Sequence, residues 1–230
     1  MHNQSIKKTV VITGANRGIG LAMLKYYLDQ GHHVIATCRE LSGELLKLTK
    51  NSDLDVIDKV DITNQQSIDA MLNKIKPKTI DILINNAGQW CNDSLANFDL
   101  EQMMHNMKVN AFGSLAVTHA LLPLVNDGAK IIMITSKMGS ISDNQSGGRY
   151  GYRMSKAALN AAARSLSIDL KVEGISVAMI HPGWVKTDMG GESALIDAQS
   201  SVKGIAAVID DLTLNNSGTF YNYDGQLIHW

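Results

Sequence analysis

Thr13-Gly14-Ala15-Asn16-Arg17-Gly18-Ile19-Gly20 is preceded by a β-branched run from Thr9 to Ile12 and followed by a helical pattern through Leu21, Leu24 and Leu28. That order reads as strand, tight turn and helix. Glycines at 14, 18 and 20 let main-chain N–H groups approach an anion with no Cβ in the way. The helix N-terminus adds unpaired donors and about half a positive charge. A pyrophosphate fits such a turn, with Asn16, Arg17 and Ile19 beside it. The spacing Gly-x3-Gly-x-Gly departs from the Gly-x-Gly-x2-Gly dinucleotide fingerprint, so the strand and helix context carries much of the inference.

Outward from the turn, elements alternate. Gly31 caps the first helix and His33 to Thr37 forms a second strand, where a dinucleotide fold holds the adenosine ribose. An NAD-specific site places Asp or Glu at that strand's end, but the chain reads Thr37-Cys38-Arg39-Glu40. Arg39 and Arg17 could instead grip a 2′-phosphate as planar multi-donor cations, which favours NADPH over NADH; two solvated arginines are the competing reading. A short helix from Ser42 to Lys50 and a third strand from Leu54 to Val60 follow, then Asp61-Ile62. Thr63 opens a helix through Ile68, Leu72 and Ile75, closed by Pro77. Such alternation predicts an α/β fold: one Rossmann-like, doubly wound parallel sheet of about seven strands, helices on both faces, as a single domain over 1–230.

The fourth strand, Ile80 to Ile84, ends in Asn85-Asn86-Ala87-Gly88. In the order 3-2-1-4-5-6 strands one and four are neighbours at the switch point, so Asn86, Ala87 and Gly88 should line the same crevice as the glycine turn. A long helix is expected from about Asp99 to Val125, with Met103, Met104, Met107, Leu115 and Leu122 in core or interface. Lys130 to Thr135 is the fifth strand, followed at once by Ser136. After a loop to Arg149, a helix opens at Tyr150. On it Tyr152 and Lys156 lie four apart, on one face, so an ammonium can sit near a phenol. The alanines of this helix suit close packing, including across the subunit interface of a homodimer or homotetramer. The sixth strand, Ile175 to Ile180, runs into His181-Pro182-Gly183-Trp184-Val185-Lys186-Thr187, a turn that should border a nicotinamide, with Thr187 in reach of a carboxamide or phosphate. A seventh strand is read near Gly218 to Gly225.

With 230 residues and 45% hydrophobic content the chain can fill one core. Lys+Arg 21 against Asp+Glu 22 gives a net charge of -1, with no basic block, so neither nucleic acid nor an anionic membrane is an expected partner. Cys38 and Cys91 form no redox or metal pair, and the histidines lack metal-ligand spacing, so no metal is expected. The opening residues lack an apolar signal core and no stretch approaches the ~20 residues of a membrane span, which points to a cytoplasmic protein.

Thr-Gly-x3-Gly-Ile-Gly, Asn-Asn-Ala-Gly, a serine at a strand end and Tyr-x3-Lys together resemble the short-chain dehydrogenase/reductase family from about residue 8 onward. Residues 147 to 160 and 181 to 191 look like its C-factor and sniffer-type carbonyl reductase branch. The resemblance implies NADPH-dependent reduction of a ketone, aldehyde or quinone, with Ser136, Tyr152, Lys156 and Asn110 as the catalytic set. It also implies that Asn110 bends its helix and holds a relay water, and that Asp61 lies near the adenine, where a turn aspartate is an equal reading. Ser136 precedes Tyr152 by 16 residues, more than is usual, whereas Ser140 precedes it by 12; direct attachment to the strand favours Ser136.

The chemistry needs a donor to a developing oxyanion and then a proton. Ser136 would donate and Tyr152 would protonate. A phenol titrates near ~10, so Lys156 with the oxidised nicotinamide is expected to favour the phenolate; a shift of about 2 units corresponds to about 2.7 kcal/mol. A non-catalytic dinucleotide sensor or signalling protein on the same fold is the alternative. Trp90, Met138, Trp184 and Met189 read either as walls of an apolar pocket or as core.

Overall fold

The computed structural model describes residues 6–75 and 79–230. The central strands are rich in β-branched residues and apolar on both faces, as parallel strands between two helical layers must be. In β1, Thr9–Thr13, the side chains of Val10, Val11 and Ile12 are fully buried. Each contributes about 1.5–3 kcal/mol of apolar burial. With β2 (His33–Thr37), β3 (Leu54–Ile57), β4 (Ile80–Asn85), β5 (Val125–Ile134), β6 (Ser176–His181) and β7 (Thr219–Asn222) it makes one parallel sheet ordered β3-β2-β1-β4-β5-β6-β7. The expected order holds, and β7 adds beyond β6.

Strand alternation builds two cores. Val10, Ile12, Ala178 and Ile180 face α1 (Gly18–Asp29) and α7 (Ala198–Asp210). Val11, Val177 and Met179 face the other layer, built from α3 (Gln65–Lys74), α5 (Ser114–Leu121) and α6 (Tyr150–Asp169). Side-chain caps start the shorter helices: Ser42 accepts from Leu45 N at α2 (Gly43–Leu48), and Asp99 accepts from Gln102 N at α4 (Leu100–Met107). The α2 helix is the expected one.

Several boundaries move. β3 stops at Ile57 rather than Val60, because Lys59 adopts φ 59, a left-handed value that ends an extended run. α3 begins at Gln65, capped by Asn64, two residues after Thr63. Pro77 lies outside the described residues. The single helix expected from Asp99 to Val125 is α4, a π-helical turn at Lys108–Gly113, α5 and a 3-10 turn at Leu122–Leu124. Within it Met103 is buried but Met104 is exposed. Val125 already belongs to β5, which starts five residues before the expected Lys130 and includes Gly128 at φ 78. α7 was not anticipated at all.

Candidate active site

The carboxyl ends of β1 and β4 form the crevice. Gly14 and Gly18 adopt φ 66 and 54. A Cβ on Gly14 would stand 2.9 Å from the Cα of Ala87, and one on Gly20 would run into the Gly14 carbonyl and the Asn86 amide. These glycines are required by close approach of the two loops as well as by the turn. Asn86 locks them together: its Nδ2 donates to the carbonyls of Thr13 at 2.9 Å and Gly14 at 3.1 Å. The Thr13 hydroxyl accepts from the main chains of Asn86 and Ala87, both at 3.0 Å. Side-chain packing leaves the floor to main chain, and α1 starts there with no side-chain cap on its first N–H groups. The donor set therefore fits a dinucleotide pyrophosphate.

A cleft of about 560 Å³ opens beside this turn, lined by Arg17, Gly18, Lys47, Lys186 and Thr187 among others. A smaller cavity of about 180 Å³ at the α7 and β7 edge is remote from this chemistry. Asn16 Nδ2 donates to the Glu40 carbonyl at 2.9 Å, while the Ser42 hydroxyl donates to the Asn16 carbonyl at 2.6 Å, so the N-cap of α2 also braces the glycine turn. Arg17 reaches across the opening to Asp188 at 3.3 Å, both side chains largely exposed. Beyond β6, the Pro182 carbonyl accepts from Ser201, and Gly183 at φ 84 packs where a Cβ would meet Ile196 at 2.6 Å. Val185 is buried and bridges to Ile196, and Thr187 packs against Gly18. Arg39 is exposed at the end of β2. One Asp61 oxygen accepts from both the main chain and hydroxyl of Thr63 at 2.9 and 2.7 Å. Those bonds lower the Asp61 carboxyl first, with the Arg39 charge a smaller contribution. Asp61 is thus an Asx-turn residue, and Ile62 is buried under Gly113.

Tyr152 and Lys156 occupy the first two turns of α6, both buried. Burial pushes the Tyr152 phenol up to about 12, opposed by a hydrogen bond from Ser136. Burial also lowers the Lys156 ammonium to about 8. Lys156 Nζ donates to the Ile134 carbonyl at 2.9 Å and lies 5.8 Å from the centroid of the Tyr152 ring. Without a bound dinucleotide, burial holds the Tyr152 phenol above its ordinary value; the expectation that Lys156 and the oxidised nicotinamide together favour the phenolate concerns the cofactor-bound form.

Ser136 is buried at the end of β5, its Oγ accepting from Met138 N at 3.1 Å. Ser140 turns the other way, donating to the His229 carbonyl at 2.6 Å and accepting from Asp143 N. The serine beside the phenol is Ser136. Asn110 sits in the π-helical turn, fully buried. Its Nδ2 donates to the Gln89 carbonyl and the Ser155 hydroxyl, both at 2.9 Å, and its Oδ1 accepts from Gln89 N at 2.8 Å. The side-chain amide is taken up by protein groups. It ties the loop after Gly88 to α6, and Gly88 itself lies where a Cβ would be 3.1 Å from Asn110 Oδ1 and 3.5 Å from Lys156 Nζ.

Sequence reasoning missed the residue that starts α6. Arg149 stands at the N-cap with φ 55 and makes no side-chain cap. Asp93, fully buried, does so from another loop: its Oδ2 accepts from Gly151 N at 3.1 Å and its carbonyl accepts from Arg149 N at 2.9 Å. Burial raises its carboxyl, but hydrogen bonds from Cys91 and the main chains of Gly151 and Tyr150 outweigh that and hold it below the usual range. No local spacing in the sequence reveals this pairing. Trp90, Trp184 and Met189 are partly or largely exposed rather than core, and Met138 is half-buried. The Trp90 ring packs 4.6 Å from that of Tyr152.

The family described as short chain dehydrogenase matches residues 8–195. The C-signal protein of Myxococcus xanthus is 47% identical over 156 residues, 66% of this chain and 93% of that protein. The carbonyl reductase Sniffer of D. melanogaster superposes with a TM-score of 0.92 at 35% identity, covering 97% of this chain and 100% of that one. The NADPH-bound carbonyl reductase from chicken fatty liver does so with a TM-score of 0.90 at 35% identity, covering 97% and 99%. Among the described residues no helix is long and apolar enough to cross a membrane.

Proposed function

The chain belongs to the short chain dehydrogenase family, and from that premise we propose that it reduces a small carbonyl compound with NADPH, using Tyr152 as proton donor. The observation that carries this reading is the buried Tyr152 side chain with the Lys156 Nζ 5.8 Å from its ring centroid, near enough to Ser136 for that hydroxyl to lower the phenol, at the edge of the glycine-turn crevice. NADPH, when bound, supplies the hydride. Tyr152 gives its proton to the carbonyl oxygen as negative charge develops there, and Ser136 donates a hydrogen bond to the same oxygen. A phenol held near 12 is fully protonated at neutral pH, the form that reduction consumes and oxidation does not. Lys156 Nζ, anchored on Ile134 and next to Gly88, is placed for the ribose hydroxyls. Gly14, Asn16, Arg17, Gly18, Ile19, Gly20, Asn86, Ala87, Pro182, Gly183, Val185 and Thr187 would hold the pyrophosphate and nicotinamide halves, and Asp61 with Ile62 the adenine. Arg17 and Arg39 would take the 2′-phosphate, consistent with the NADPH bound to the chicken relative.

The test is oxidation of NADPH and of NADH against a panel of ketones, aldehydes and quinones. Turnover with NADPH at least ~10-fold better than with NADH is expected, since one charge-assisted contact to the extra phosphate is worth about that much. Equal use of both cofactors would remove the role given to the two arginines. A second reading, a dinucleotide-binding signalling protein, is favoured by the likeness to C-signal. It predicts NADPH binding with no reduction anywhere on the panel.

A further inference from the structure

The loop leading into α6 carries three consecutive left-handed residues, Gly147, Gly148 and Arg149, at φ 64, 61 and 55. Glycine adopts that conformation freely; arginine is strained there. A glycine at 149 would keep both the turn and the main-chain bond to Asp93, so what this position gains from arginine is the side chain. Its guanidinium centre stands 5.8 Å from the centroid of Trp90, whose ring in turn packs 4.6 Å from that of Tyr152. The cation is one indole away from the proton donor.

Neighbouring cations are committed elsewhere and this one is not. Arg153 donates to the Gly148 and Met138 carbonyls and to Ser146, at 3.2, 3.4 and 2.9 Å. Lys137 pairs with Asp143 at 3.0 Å. The two Asp93 oxygens accept from Cys91 and Gly151. Among the described residues the Arg149 guanidinium has neither a hydrogen bond nor a carboxylate partner, only the indole face. The cation–π contact with Trp90 positions the guanidinium and leaves its N–H groups free for a planar anion.

Resting on the reductase reading, we infer that Arg149 selects carbonyl substrates that carry a carboxylate beyond an apolar spacer, the spacer lying along Trp90. The probes are 4-formylbenzoate and its neutral isostere 4-formylbenzamide, with NADPH in excess, for the unaltered protein, Arg149→Gln and Arg149→Lys. NADPH affinity, measured on each, reports that the fold holds. The unaltered protein should favour the carboxylate by about 10-fold in kcat/KM, mostly through KM, the size of one charge-assisted contact. Arg149→Gln should bring the ratio to near one, and Arg149→Lys should restore part of it, since charge remains but the fork is lost. Reduction of both aldehydes with a ratio near one in the unaltered protein overturns the inference and leaves the reductase reading standing. A 10-fold ratio that persists in Arg149→Gln overturns it too, by assigning the preference to another group. Reduction of neither, with the wider carbonyl panel also inert, overturns both.

Discussion

Ser136 and Ser140 are both buried hydroxyls in the same loop, and their partners separate them. Ser136 is the serine that lowers the Tyr152 phenol, whereas Ser140 is spent on the His229 carbonyl. Ser136→Ala should lower kcat by about 10²-fold, the size of a lost oxyanion donor, with NADPH affinity unchanged. Ser140→Ala should leave kcat within a few-fold and show instead as lost stability, about 1 kcal/mol for one hydrogen bond. An exchange of those two results would mean that the loop works in another register. Lys156 makes a separate prediction in pH. Burial lowers its folded-state value from 10.5 to about 8. Between about 8 and 10.5 the unfolded chain therefore holds the proton that the folded chain has released, and stability from this group rises with pH. The full window corresponds to about 3 kcal/mol. Tyr152 acts oppositely, but only above its ordinary value of 10.0, where the unfolded phenol ionises first. Denaturant midpoints of the unaltered protein should therefore climb relative to Lys156→Met from pH 8 to 10. Parallel curves over that range would contradict the burial argument.

Among the elements, α6 matters most, since it carries Tyr152, Lys156 and the partner of Asn110. Its start was legible because Tyr-x3-Lys and an alanine-rich pattern are local signals. Its cap was not, because Asp93 lies 58 residues upstream of the Gly151 N–H it accepts from. Asp93→Ala leaves the buried Gly151 N–H without its acceptor, at a cost of about 1–3 kcal/mol. The first turn of α6 should then fray, and Tyr152 lies in that turn. The expected result is a kcat loss larger than any change in NADPH affinity, together with faster amide exchange at residues 150–152. Unchanged exchange there would deny Asp93 its capping role. The helix expected from Asp99 to Val125 is interrupted at Asn110, where the resemblance implied a bend, but the form of the interruption was not legible. Apolar spacing continues through the chain, but the π-helical turn exists because Asn110 is bound sideways to Gln89 and Ser155 and because Gly113 packs against Ile62, which are tertiary facts.

For the whole molecule, strand order and the crevice at β1 and β4 were readable because each glycine, asparagine and apolar run obeys rules set by its own neighbours in sequence. The alternation of Val10, Val11 and Ile12 between two cores follows directly. What stayed hidden joins distant segments: the Arg17 to Asp188 pair over the cleft, the Ser42 brace on the glycine turn, α7 behind β6, and the bond from Ser140 to His229. The Arg17 pair and the Ser42 brace lie at the cleft beside the glycine turn, and the two halves of the proposed reaction, cofactor binding and proton donation, come from different elements. They should therefore separate by mutation. The decisive measurement is single-turnover oxidation of NADPH by a reducible carbonyl in the unaltered protein and in Tyr152→Phe, with NADPH affinity determined for both. Removing only the hydroxyl should leave NADPH affinity within about 2-fold while the single-turnover rate falls by about 10² to 10⁴-fold. A Tyr152→Phe protein that reduces the carbonyl at the full rate would contradict the assignment of Tyr152 as the proton donor.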